Sequence, residues 1–150
     1  MKAVIQRVSK ASVMVEGEII SKIEKGFLIL LGITQDDTSE DIQWLSKKIT
    51  NLRVFNDKND VMNHSLVQVN GDAIVVSQFT LMANTKKGNR PSYIKAAKPE
   101  IAIPIYKEFI HQFEKDLGKK VGTGIFGADM KIDLQNDGPV TIIVDTKHKI

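Results

Sequence analysis

Leu66-Val67-Gln68-Val69-Asn70-Gly71-Asp72-Ala73-Ile74-Val75-Val76-Ser77-Gln78-Phe79 is the stretch on which the fold class turns. Two apolar runs flank Asn70-Gly71, a pair that readily takes positive φ, and the pattern predicts a β-hairpin whose second strand runs from Ala73 to Phe79. Upstream, residues 2–8 and 11–15 are expected as strands, and Glu16-Gly17 turns the chain into Glu18–Ile23. Gly26 then introduces Phe27-Leu28-Ile29-Leu30-Leu31, a continuous apolar run that fits a central strand buried on both faces. Downstream, Met130, Ile132 and Leu134 alternate, Asn136-Asp137-Gly138 marks a turn, and Val140 to Val144 returns as strand.

Two helices interrupt these strands. Thr38 and Asp41 resemble a capping box, and Ile42, Leu45, Ile49 and Leu52 repeat at helical spacing, which predicts a helix over 39–51. Ile105, Phe109, Phe113 and Leu117 recur every four residues before Gly118, predicting a second over 103–117. Hairpins outnumber strand–helix alternations, so the expected fold is α+β, a curved mixed sheet or half-barrel with two main helices packed on it, in one domain spanning 1–150.

Bulk properties exclude more than they assign. The 150 residues are 42% hydrophobic and 26% charged, which suits a folded globular chain. The absence of Cys removes disulfides, thiolate nucleophiles and cysteine zinc sites. Gln6, Arg7, Ser9 and Lys10 break any leader-like apolar core, and the Phe27–Leu31 run is too short to span a bilayer, so a cytoplasmic location with no membrane contact is expected. A net charge of +3 permits an anionic partner such as RNA without demanding one.

Among the possible sites, Gly122-Thr123-Gly124-Ile125-Phe126-Gly127 matches the glycine pattern of a dinucleotide loop, but an alternating strand follows where a helix is needed. His64, His111 and His148 have no metal spacing, and no Gly-x-Ser-x-Gly elbow exists. Hydrolysis here is expected to run without a histidine base, and nothing calls for a metal or an organic cofactor. Two segments stand out. At Ser77-Gln78-Phe79-Thr80 an apolar strand turns polar at its end, where N–H groups leave the ladder and can face a ligand. Asn136-Asp137-Gly138-Pro139-Val140-Thr141 is a Gly- and Pro-bearing turn. Taken singly, one reads as a strand terminus and the other as a loop.

Together, in this order and spacing, the two segments resemble the signature motifs of the D-aminoacyl-tRNA deacylase family. The likeness extends to Ala3-Val4-Ile5-Gln6-Arg7-Val8, Lys87-Gly88-Asn89-Arg90-Pro91-Ser92 and Thr123-Gly124-Ile125-Phe126-Gly127-Ala128-Asp129-Met130, with Tyr93 where Phe is expected. The resemblance implies an esterase for the bond between a D-amino acid and the terminal ribose of tRNA. It implies Ser77, Gln78, Phe79 and Thr80 as the catalytic segment, with backbone N–H groups of Phe79 and Thr80 as oxyanion donors and the ribose 2′-hydroxyl assisting. Arg7, Phe126, Ala128, Met130, Gly138 and Pro139 are implied in substrate binding and chiral selection. Also implied is a homodimer in which a cis Gly138–Pro139 peptide reaches the partner's pocket and excludes L side chains; exclusion cannot refuse glycine, so Gly-tRNA is an expected second substrate. Exposed Lys86, Lys87 and Arg90 are candidate tRNA contacts. The rival readings are a related editing hydrolase that accepts an L-amino acid through a trans Gly-Pro, and a non-catalytic tRNA-binding module.

Overall fold

Residues 1–150 are described by a computed structural model. Alternation along the first strand, β1 (Lys2–Val15), turns Ala3, Ile5, Ala11 and Val13 into the interior. The two expected strands of this region are one, and it organises the sheet. Glu16 and Gly17, both at positive φ, reverse the chain into β2 (Glu18–Ile23), and β3 (Gly26–Gly32) follows. One edge of β1 pairs antiparallel with β3 through Lys2–Val8 and with β2 through Ala11–Val15. Its other edge pairs antiparallel with β8 (Met130–Asp145) from end to end.

Helix α1 (Ser39–Asn51) begins as predicted, with the Asp41 carboxylate accepting the Thr38 N–H at 2.9 Å. A short hairpin, β4 (Phe55–Asn56) and β5 (Met62–His64), leads to β6 (Asp72–Ser77), and β7 (Gly122–Thr123) comes after the second helix. β3, β6 and β7 run parallel, and the sheet's order is β2-β1-β3-β6-β7. Its two ends nearly meet. The Ser21 hydroxyl on β2 donates to the Thr123 carbonyl at 2.6 Å and accepts the Thr123 N–H at 3.0 Å. The result is a mixed, curved and nearly closed sheet.

The Asn70-Gly71 hairpin is not formed. Asn70 does take positive φ, but the residues before it make a helical turn instead of a strand, with Gly71 N–H bonded to Leu66 O at 3.0 Å. Ser65 and Gln68 explain this: Gln68 N–H donates to Ser65 Oγ (3.2 Å) and Ser65 N–H to Gln68 Oε1 (2.8 Å), the reciprocal capping that starts a helical turn. β6 therefore finds its partner in β3, and the centre of the sheet is parallel where antiparallel hairpins were expected. The Asn136-Asp137-Gly138 turn also fails to reverse the chain. Asn136 pairs with Val8 and Thr141 with Gln6, so residues 137–140 form a bulge and β8 resumes along the same line. Asn136 closes the bulge by accepting the Val140 N–H (3.0 Å) and donating to Thr141 Oγ1 (2.8 Å).

Helix α2 (Pro99–Leu117) starts four residues before its expected beginning, because Pro99 takes the first helical position, where a missing N–H costs nothing. Pro104 lies inside the helix on an exposed side. Ala102, Tyr106, Phe109, Phe113 and Leu117 of α2 and Ile42, Leu45 and Ile49 of α1 share one core with Ile5, Phe27, Ile29 and Val75 of the sheet. Ser46 Oγ joins the helices through Asp116 at 2.6 Å. No helix is long and apolar enough to cross a membrane.

Candidate active site

β6 ends where its last ladder bond is made, Gln78 N–H to Leu31 O at 2.8 Å. The chain then coils into a 3₁₀ turn over Phe79–Met82, whose first rung is Leu81 N–H to Gln78 O at 3.2 Å. Phe79 and Thr80 precede that rung, so their N–H groups are the orphan donors of a helix start, and no side chain caps them. This is how a strand terminus becomes a set of hydrogen-bond donors.

Beside it lies a cavity of about 250 Å³. Ser77, Gln78 and Phe79 line it together with Phe126, Gly127, Ala128 and Met130, and Leu31, Ile33, Ala97 and Ala102 are among the residues that complete the lining. Two segments far apart in sequence thus meet, and six of the residues singled out by motif line one space. No lining side chain is titratable. The site can present an apolar face, backbone donors, a hydroxyl and an amide, and has no acid or base in its wall. Gln78 Nε2 donates to Thr80 Oγ1 at 2.5 Å. Phe79 is exposed and meets Tyr93 edge to face at 5.1 Å. The ring of Phe126 lies 6.0 Å from that of the buried Tyr106, whose hydroxyl burial pushes up to about 12.

Thr80 does not line this cavity, and neither do Arg7, Gly138 and Pro139. Arg7 is buried on β1 opposite the bulge of β8. Its Nε donates to Asp137 O (2.9 Å), and its Nη1 to Val54 O (2.6 Å) and Asn56 Oδ1 (3.1 Å). The Gly138–Pro139 peptide is cis, with both residues exposed and Gly138 at φ +130°. A Cβ on Gly138 would approach Arg7 Nη2 and Val140 Cγ2 to 2.9 Å, so the bulge has no room for another residue there. Lys86, Lys87 and Arg90 are exposed on a loop tied at its neck by Asn84 and Ser92, and none has a carboxylate partner. No three His, Asp or Glu side chains converge as a metal site. Leu31, Ile33, Val76, Ala97, Ala102 and Ile132 are lining residues that motif reading missed; the small size of Ala97 and Ala102 leaves space, a signal visible only once α2 is placed.

The D-Tyr-tRNA(Tyr) deacylase family model matches residues 4–145. A D-aminoacyl-tRNA deacylase of Flavobacterium psychrophilum is 68% identical over 149 residues, and that of Christiangramia forsetii 64%, each alignment covering 99% of both chains. Among solved structures, a c-Myc DNA Unwinding Element Binding Protein superposes with a TM-score of 0.90 at 42% identity, over 97% of this chain and 98% of its own. A probable eukaryotic D-amino acid tRNA deacylase shares the fold, with a TM-score of 0.82 at 15% identity over 95% of this chain. With its whole length aligned to these relatives and the family model matching nearly all of it, the chain belongs to the D-Tyr-tRNA(Tyr) deacylase family.

Proposed function

We propose that the chain is a hydrolase that cleaves the ester between a D-amino acid and the 3′-terminal ribose of tRNA. The observation that carries this reading is the cavity that unites Ser77-Gln78-Phe79 with Phe126, Ala128 and Met130. An ester carbonyl under attack develops negative charge on oxygen, and the N–H groups of Phe79 and Thr80 at the start of the 3₁₀ turn supply donors for it. The phenyl ring of Phe126 and the thioether of Met130 suit the face of the terminal adenine. Gln78 orients the ester. With no titratable side chain in the wall, the attacking water is activated by the substrate, and the vicinal ribose 2′-hydroxyl is the group placed to do it.

Chirality enters through a second subunit. Gly138 and Pro139 are exposed and lie off their own cavity, which suits them to complete the cavity of a partner in a homodimer. Their backbone there would block an L side chain and leave a D side chain pointing outward. Glycine carries nothing to block, so Gly-tRNA is the second substrate. Lys86, Lys87 and Arg90 meet the phosphates of the acceptor end, giving salt-dependent binding of tRNA.

The test is release of amino acid from D-Tyr-tRNA, L-Tyr-tRNA and Gly-tRNA, against spontaneous hydrolysis. Cleavage of the D-ester and the glycyl ester with the L-ester untouched is expected. Equal rates on both tyrosyl esters would instead make the chain an editing hydrolase without chiral selection. The 42% identity to a protein described as binding a DNA element supports a second reading, a nucleic-acid-binding module. It predicts tight, salt-sensitive tRNA binding with no cleavage of any ester.

A further inference from the structure

The cavity exists because β6 and the chain after β7 part company. Their parallel pairing covers Ile74–Gly122 and Val75–Thr123 and stops there. Beyond it, Ser77 and Gln78 on the one segment and Phe126, Gly127, Ala128 and Met130 on the other line the cavity. The place where the two strands split is therefore the place that sets the cavity's width.

Both the N–H and the C=O of Thr123 are engaged by the Ser21 hydroxyl on the far side of β7. Successive residues of a strand direct these groups to opposite sides, so Gly124 presents its N–H to β6, where the Val75 carbonyl is its ladder acceptor. That carbonyl accepts the hydroxyl of Tyr106 at 2.6 Å, from α2 beneath the sheet. The Gly124 N–H faces the phenol oxygen in turn. The Tyr106 hydroxyl thus occupies the Val75 carbonyl, and the Gly124 N–H to Val75 O bond that belongs to the Val75–Thr123 pair is not made within hydrogen-bond distance.

We propose that the Tyr106 hydroxyl is a wedge that holds β6 and residues 124–130 apart, and that it thereby fixes the width of the cavity. Tyr106 is a positioning residue: it lies outside the cavity lining and acts through Gly124 and through Phe126, whose ring packs 6.0 Å from its own. Gly124 is also covered closely by Met130, a cavity-lining residue, since a Cβ there would run into the Met130 sulfur. Gly124 meets both Tyr106 and Met130, and small movements of its backbone pass to the cavity lining.

The kinetic half of this proposal rests on the deacylase reading. Tyr106→Phe keeps the ring and removes the wedge, which frees the Gly124 N–H to close on Val75 and narrow the cavity. The expected result is a KM for D-Tyr-tRNA raised on the order of tenfold with kcat within about twofold, because ground-state and transition-state binding suffer alike. Amide hydrogen exchange at Gly124 is expected to slow in the same variant, as the ladder gains a rung. A loss of stability alone would move neither quantity in this direction. Gly124→Ala, which pushes Met130 into the cavity, is expected to raise KM likewise. An unchanged KM in Tyr106→Phe, a fall in activity that only tracks the folded fraction, or unchanged or faster exchange at Gly124 would overturn the wedge. If the unmodified protein cleaves no ester, the deacylase reading fails, and exchange at Gly124 alone decides the wedge.

Discussion

Thr80 carries a hydroxyl at the start of the 3₁₀ turn, yet its hydrogen-bond partner is the Gln78 side-chain amide, which donates to it and has no means of taking its proton. A threonine nucleophile needs a base, and the cavity wall has none. Thr80→Ala is therefore expected to retain deacylation within about tenfold of the unmodified rate in single-turnover measurements, whereas removing a covalent nucleophile costs on the order of 10⁴-fold or more. Ser77-Gln78-Phe79-Thr80 stood out in the sequence as a strand that turns polar at its end, but only its resemblance to the family motif made it a candidate site, and the structure sets three of those four residues on the cavity. Tyr106 was not legible. A helix stripe read through Ile105 passes beside it, and a tyrosine buried on a carbonyl looks from sequence like any core aromatic.

At the level of elements, period and caps were legible and pairing was not. Both helices follow from their apolar repeats, and the buried faces are those the spacing selects, with Tyr106 in place of Ile105 on the second. The Asn70-Gly71 and Asn136-Asp137-Gly138 turns carry the local chemistry of reversals, but side chains redirect them. Ser65 and Gln68 fold the first into a helical turn, while Arg7 and Asn136 gather the second into a bulge. The Ser65–Gln68 and Asn136–Val140 contacts are local and were outweighed by the turn residues beside them, whereas contacts such as that of Arg7 with Asp137 reach across the fold and lie in no window of sequence. One of them ties the C-terminal segment to the start of α1: Lys147 Nζ lies 2.8 Å from the Asp41 carboxylate that also accepts the Thr38 N–H. Partial burial works to raise the Asp41 carboxyl, but hydrogen bonds from Lys147, Thr146 and Thr38 outweigh it and hold it well below the usual carboxylate range. A depressed acid stabilises the fold above its unfolded pKa and loses that contribution as pH falls through its folded value. Asp41→Asn is accordingly expected to lower Tm by a few degrees at neutral pH, with the difference shrinking progressively below about pH 4 and closing only as pH falls through the depressed folded value, as read by thermal melts across pH.

For the whole molecule, the telling fact is that the two signature segments do not meet within one chain. The first faces the cavity, and the second sits exposed on the bulge of β8, braced from behind by Arg7. If Gly138 and Pro139 act in a partner's cavity, damage to the bulge and damage to the cavity must complement each other between subunits. Gly138→Ala strains a position at φ +130° and presses on Arg7 and Val140, while Ala128→Trp fills the cavity and leaves the bulge alone. Each variant by itself is expected to be inactive in a homodimer. After co-refolding at equal amounts, about half the dimers are mixed, and each mixed dimer holds one intact cavity facing one intact bulge. Activity on D-Tyr-tRNA should then return to about a quarter of the unmodified level. A mixture that stays inactive, although mass measurement shows mixed dimers, would place Gly138 and Pro139 in the service of their own subunit.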